Sequence, residues 1–223
     1  MENTEKSFII RTFGRIHGKK LSPRQQWLVD NLLPTLSPAR GVCDIPLQPM
    51  ILEIGFGAGE HLMHLTQTNP DATVIGAEPF INGIASLLSH MTDDQNQVKP
   101  EYQNIRIWPD DVRKLLGANV RPFDKIYILH PDPWPKARHE KRRLLSAEFL
   151  TELTTHLAPD GEIIFGTDHV DLFKWTIEQI AKTNLKIKNS DFTIPPESGL
   201  DTRYKAKDMF GANHAQYLVL GIC

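Results

Sequence analysis

Between His130 and Arg143 the chain reads His-Pro-Asp-Pro-Trp-Pro-Lys-Ala-Arg-His-Glu-Lys-Arg-Arg, which sets a carboxylate, an aromatic and a dense cationic run side by side. Those are the groups that hold a nucleic-acid base and neutralise its phosphates. The preceding stretch, Phe123 to Leu129, is apolar and β-branched enough to read as a buried strand, and Pro131, Pro133 and Pro135 then exclude both helix and ladder. Asp132 is therefore expected in a rigid loop at a strand's carboxyl end, where open α/β sheets bind ligands. Lys136, Arg138, Lys141, Arg142 and Arg143 stand against Glu140 alone, enough charge for several phosphates in a chain of net charge -2. The plainer reading is a solvated basic face beside a proline turn, and the adjoining Asp132 and Trp134 argue against it.

A second group of residues points to a nucleotide-type ligand. Glu53-Ile54-Gly55-Phe56-Gly57-Ala58-Gly59-Glu60 follows an apolar run and opens a helical pattern, so backbone N–H groups and a helix N-terminus face the strand ends. A dinucleotide fingerprint counted from Gly55 needs glycine where Glu60 stands, and that carboxylate repels a pyrophosphate. A ligand without phosphates fits better. Glu53 can accept from an ammonium, and S-adenosylmethionine carries one. Glu78, about 20 residues past the glycines, stands where a carboxylate grips ribose hydroxyls in this architecture. Asp111 follows the next strand, where it can accept from an adenine amino group, with Asp110 beside it as a competing choice. Asp168 follows a further strand with Thr167; substrate contact and N-capping of the next helix both suit it.

The elements that must position these groups alternate in type. The chain has 223 residues, 40% of them hydrophobic, enough to bury the core of one α/β domain. Ser22-Pro23 starts a helix to Leu36. From Met50 the pattern predicts strand Met50–Ile54, helix Glu60–Thr68, strand Thr73–Glu78, helix Ile81–Met91, strand Ile105–Trp108, helix Val112–Leu116 and strand Asp124–Leu129. Helix Ala147–Leu157, strand Glu162–Gly166, helix Val170–Thr183, strand Leu185–Lys188, a short helix near Thr202 and strand Gln216–Ile222 complete it. Such alternation predicts a mostly parallel sheet with helices on both faces. The polar connector Thr92–Asn104 and the basic stretch after Pro135 are expected as loops, the first of them mobile. Residues 1–40 read as a basic arm with a capping helix, and 41–223 as the α/β domain that would bind S-adenosylmethionine.

Composition excludes several classes. No run of about 18 apolar residues is present, and Met1 to Ser7 carries charges, so neither a membrane span nor a signal peptide is expected and a cytoplasmic location is. The two cysteines, Cys43 and Cys223, form no Cys-x-x-Cys pair. His61 and His64 lack companions at metal-ligand spacing and read as surface or packing residues. Lys6, Arg11, Arg15, Lys19, Lys20 and Arg24 outnumber Glu2 and Glu5 in the first 24 residues, which suggests an extended polyanionic partner.

These residues resemble one family along nearly the whole chain, the bacterial-type tRNA (guanine-N7-)-methyltransferases. The resemblance rests on Arg11 to Arg15, Glu53 to Glu60, Gly76-Ala77-Glu78-Pro79-Phe80, Pro131 to Arg143, Thr167-Asp168 and Thr202-Arg203-Tyr204. It implies a class I, Rossmann-like methyltransferase with an antiparallel last strand, moving the methyl group of S-adenosylmethionine to guanine N7 in the tRNA variable loop. By the same resemblance Glu53, Gly55, Gly57, Gly59, Glu78, Asp111 and Asp132 line the cofactor and reaction centre. Lys136, Asp168, Thr202, Arg203, Tyr204 and Lys205 face the substrate. The chain departs from the pattern at Lys205, where the family usually has Glu, and at His130, where it usually has an aromatic. Asp132 is expected to be decisive, and its plainer alternative is an aspartate capping the turn. tRNA is the expected partner, with neither DNA nor membrane, and the protein is expected as a monomer or homodimer. Competing readings are a methyltransferase acting on an exocyclic amine, an RNA-binding protein on the same scaffold, and a nicotinamide oxidoreductase, which Glu60 disfavours.

Overall fold

Strands with every residue buried form the centre of the molecule, as expected where helices cover both faces of a parallel sheet. The computed structural model describes residues 12–14, 16, 18–38, 49–117, 121–192 and 216–222. The strands are β1 (Met50–Ile54), β2 (Thr73–Ala77), β3 (Ile105–Trp108), β4 (Phe123–Leu129), β5 (Leu157–Thr167), β6 (Leu185–Phe192) and β7 (Gln216–Ile222). They make one seven-stranded sheet in the order β3-β2-β1-β4-β5-β7-β6. β1 pairs in parallel with β2 and β4, and β4 with β5, whereas β7 runs antiparallel between β5 and β6. The strand order reverses between β1 and β4. Sheets of this kind bind ligands in the crevice at that point.

The helices are α1 (Pro23–Trp27) and α2 (Leu33–Leu36), joined through a π-helical segment Leu28–Leu32, then α3 (Glu60–Thr68), α4 (Ile81–Met91), α5 (Val112–Leu116), α6 (Ala147–Thr154) and α7 (Val170–Ile180). A capping box starts α1: the Ser22 hydroxyl accepts from Gln25 N–H and the Gln25 side chain from Ser22 N–H. Alternation along β1 sends Met50, Leu52 and Ile54 into the core under α5, α6 and α7. Ile51 joins the opposite core with α3 and α4 residues such as Leu62 and Leu87. Leu28, Leu33 and Leu36 belong to that second core, so the helical segment ahead of residue 41 packs with the strands that follow. No helix among the described residues is long and apolar enough to cross a membrane.

Several boundaries differ from the sequence reading, each for a local reason. β5 begins at Leu157 rather than Glu162, because Ala158-Pro159-Asp160-Gly161 is a turn signal that the strand absorbs as a bend with Asp160 at φ 65°. α6 therefore ends at Thr154. The basic stretch after Pro135 is a 3-10 helix, Ala137–Arg142. The connector 92–104 is tied down rather than loose: Arg24 donates to Thr92 Oγ1, the Asp93 carbonyl and Asn96 Oδ1, and Asp93 Oδ1 accepts from Gln95 and Gln97 N–H. Arg24, read as part of a polyanion-binding arm, thus spends its donors inside the fold. The short helix near Thr202 lies outside the described residues.

Candidate active site

The glycine loop between β1 and α3 is made possible by backbone freedom. Gly55, Gly57 and Gly59 have φ of 77°, 58° and 89°, a region L side chains avoid. A Cβ on Gly55 or Gly57 would meet open space, so that face of the loop is clear for a ligand. Gly83 of α4 packs on the loop from below, where an added Cβ would come within 2.2 Å of the Gly57 carbonyl oxygen. A cavity of about 360 Å³ opens here, lined among others by Glu53, Gly57, His61, Phe80, Asn82 and His130. That volume lies in the usual range of small-molecule sites.

Three carboxylates gather beside it. Glu53, at the end of β1, is 3% exposed, and its Oε2 has no hydrogen-bond partner among the described residues. Glu78, just after β2, accepts from Gly57 N–H at 2.9 Å through Oε2 and from Phe80 N–H at 2.9 Å through Oε1, so it braces the glycine loop. Burial raises its pKa, those two N–H donors oppose the rise, and the charges of Asp132 and Glu53 add to it. Asp132 keeps contact with solvent in the loop after β4, yet partial burial of its carboxylate raises its pKa as well. No described residue hydrogen-bonds to it, so it does not cap the turn. An excess of negative charge with an unpartnered buried oxygen suits a cationic ligand bearing an ammonium and a sulfonium, and an anionic pyrophosphate poorly.

Asp111 resolves the choice with its neighbour. Asp110 pairs with Lys114 at the surface, while Asp111 is 7% exposed and caps α5. Both of its oxygens are engaged: Arg113 donates from its backbone N–H and Nε to Oδ1 and from Nη2 to Oδ2, and Thr12 donates to Oδ2 at 2.8 Å. These donors hold its carboxyl below the usual carboxylate range against the opposing effect of burial. Of the four carboxylates expected at the cofactor, Glu53 lines the cavity, whereas Glu78, Asp111 and Asp132 stand outside its lining.

On the other side of Asp132 the cationic run divides into two kinds of residue. Arg142 stacks over Trp134 at 4.9 Å and over Phe13 at 5.4 Å, and Arg143 donates to the Pro133 carbonyl and stacks over Trp175. Trp175 Nε1 donates to Glu140, which closes the loop on α7. Lys136, Arg138 and Lys141 are exposed. Two of the five cations are therefore scaffold and three face solvent, which composition alone does not reveal. Trp134, at φ 43°, serves as a platform for Arg142 and a T-shaped partner of His139.

Asp168 does not cap α7; His169 does, accepting from Leu172 N–H. The Asp168 side chain is 8% exposed and lies 3.6 Å from Nδ1 of His130, itself 3% exposed. Burial lowers the His130 pKa and the nearby Asp168 charge opposes that. Thr202, Arg203, Tyr204 and Lys205 lie outside the described residues. Sequence reasoning placed His61 among surface or packing residues and passed over Asn82. His61 is buried, 3.2 Å from Glu53, and edge-on to Tyr127 at 5.1 Å; its i, i+4 spacing to the buried Leu65 was the available signal. Asn82 accepts from Gly18 N–H and donates to the Lys19 carbonyl, pinning the arm to α4. Among the described residues no group of His, Cys, Asp and Glu is placed to hold a metal ion.

Residues 47–209 match the family model described as "Putative methyltransferase". The tRNA (guanine-N(7)-)-methyltransferase of Caulobacter sp. (strain K31) is 37% identical over 213 residues, covering 90% of each chain. That of Novosphingobium aromaticivorans is 38% identical over 217 residues, covering 91% of each. Among solved structures, the 16S rRNA methyltransferase KamB superposes with a TM-score of 0.56 at 15% identity over 93% of this chain and 98% of its own. A chain of the fibrillarin/Nop5p complex gives 0.52 at 14% identity over 79% of this chain and 73% of its own. At such identities they establish the fold, a class I methyltransferase sheet, while the match along nine-tenths of the chain places it in the tRNA (guanine-N(7)-)-methyltransferase family.

Proposed function

We propose that this protein methylates N7 of a guanine in the variable loop of tRNA, with S-adenosylmethionine as donor. The observation that carries the reading is Asp132: a carboxylate with no hydrogen bond from any described residue, between the acidic cavity and the exposed cations of the next loop. When bound, S-adenosylmethionine supplies a methyl group activated on a sulfonium. Glu53 would take its ammonium, Glu78 its ribose hydroxyls through lone pairs left over from the Gly57 and Phe80 bonds, and Gly55 and Gly57 would let the ligand approach the backbone. An adenine amino group at Asp111 would have to share or displace the Thr12 bond.

Guanine N7 presents an in-plane lone pair in its neutral form, so no residue has to remove a proton from it. The residues have alignment to do, and holding two reactants in line can supply roughly 7–11 kcal/mol. Positive charge develops on the purine, and Asp132 can stabilise it or accept from the guanine N1–H and amino group. Lys136, Arg138 and Lys141 would bind the RNA backbone, with Asp168, Thr202, Arg203, Tyr204 and Lys205 on the substrate side. The test is transfer from labelled S-adenosylmethionine to unmodified tRNA transcript, with the product mapped by borohydride and aniline cleavage. Cleavage at a variable-loop guanine is expected; methylation at another position, or RNA binding without transfer, overturns the reading.

A further inference from the structure

Glu53 is a carboxylate with 4% of its side chain exposed, close enough to Glu78 for their charges to interact. A charge so placed needs a donor, and Oε2 lacks a hydrogen bond. Nδ1 of His61 stands 3.2 Å from that oxygen but short of hydrogen-bond alignment. Its side chain is 5% exposed, and Nε2 likewise has no hydrogen bond.

The position follows from the fold. Glu53 shares a face of β1 with Ile51 and pairs across the ladder with Tyr127 of β4. His61 follows Gly59 and Glu60 into the first turn of α3, which lies on that face, and its ring stands edge-on to Tyr127 at 61°. Helix, ring and ladder thus confine the imidazole, and a small rotation of the carboxylate completes the bond.

We propose that His61 is a positioning residue: its Nδ1–H holds Oε2 of Glu53, so that Oε1 is presented to the cavity to receive the ammonium of the ligand's amino-acid moiety. The inference rests on the reading of Glu53 under the proposed function, and it adds how one oxygen is set aside for the ligand. Without His61, Glu53 is free to turn and the ammonium meets a disordered acceptor. Adenosine and sulfur contacts do not pass through this pair.

That separation supplies the test. Binding of S-adenosylhomocysteine, which has the amino-acid moiety, and of 5′-methylthioadenosine, which lacks it, is measured by calorimetry on the full chain. His61→Phe keeps the ring against Tyr127 and removes both nitrogens. It is expected to weaken S-adenosylhomocysteine about tenfold or more, the worth of a hydrogen bond to a charged group, and leave 5′-methylthioadenosine within about twofold. His61→Asn, which retains a donor, is expected to recover part of the loss. Equal weakening of both ligands, or of neither, overturns the inference. Glu53→Gln separates the two levels: if it leaves S-adenosylhomocysteine binding unchanged, the reading of Glu53 fails, whereas a loss there with none in His61→Phe sinks the role of His61 alone. Nitrogen-15 spectra of histidine-labelled wild-type protein provide a check independent of how the variants fold. Nδ1 of His61 is expected to carry a proton in the S-adenosylhomocysteine complex, and a bare Nδ1 overturns the inference.

Discussion

On the β1–β2 side of the site, Glu53 and Glu78 are buried, the glycine loop takes its shape from positive φ angles, and Glu78 locks that loop through two backbone N–H groups. On the β4–β5 side, Asp132 is open to water, and its loop is held by Arg142 on Trp134 and Phe13 and by Arg143 on Pro133 and Trp175. The first side is preformed by backbone and burial. The second is held by cation–π contacts and keeps exposed charges. A small ligand of fixed shape suits the first, and a large polyanion that must dock and leave suits the second.

The sharpest way to break this contrast is at Asp132, where the two sides meet. Asp132→Ala is expected to lower turnover about 100-fold or more, the scale of removing one group aimed at developing charge. Its melting temperature should not fall, because burial already works against the ionised carboxylate. Turnover close to wild type would remove Asp132 from the centre. Next in size, Gly83→Ala forces a methyl against the Gly57 carbonyl. A loss of about 1–3 kcal/mol in stability is expected, with weakened cofactor binding and unchanged RNA binding, read by melting and by filter binding.

On the RNA side, Arg142→Ala should destabilise the loop by about 0.5–2 kcal/mol through its lost aromatic contacts. Lys136, Arg138 and Lys141, changed singly to Gln, should leave melting unchanged and reduce the salt slope of tRNA binding by about 0.7–0.9 each. If Arg142→Ala behaves like those three variants, the division of the basic run is wrong. The smallest effect concerns pH. Burial lowers the His130 and His156 pKa values in the folded chain, so the unfolded chain binds more protons in the acid range and stability falls as pH drops below about 6.5. His130→Phe should flatten part of that fall in melts between acid and neutral pH, leaving the share due to His156.

The same contrast explains what could be read from the chain. β1, α3, α4, β3, α5 and β7 were legible to the residue, because hydrophobic period and flanking Gly or Pro agreed. The glycine loop, Glu53 and Glu78 were legible for the same reason, being anchored to strand ends. Asp111 was located by its strand, but its engagement by Thr12, some hundred positions earlier, was not, since no local pattern announces a contact between distant segments. Arg142 and Arg143 read as phosphate-binding charge because composition cannot tell a guanidinium lying on a ring from one facing a polyanion. His61 was dismissed once it lacked metal companions, though its place on the buried face of α3 was in the pattern.

β7 lies between β5 and β6, and β6 has no other neighbour in the sheet. During synthesis β5 therefore waits with an open edge, and β6 has nothing to pair with, until the chain has been made through Ile222. The late strand makes the sheet slow to close and leaves an unpaired edge exposed to stray association in the meantime. A ribosome stalled short of β7 would hold a chain whose glycine loop and β4 have already been made, but whose β5 edge and β6 lack the strand that joins them.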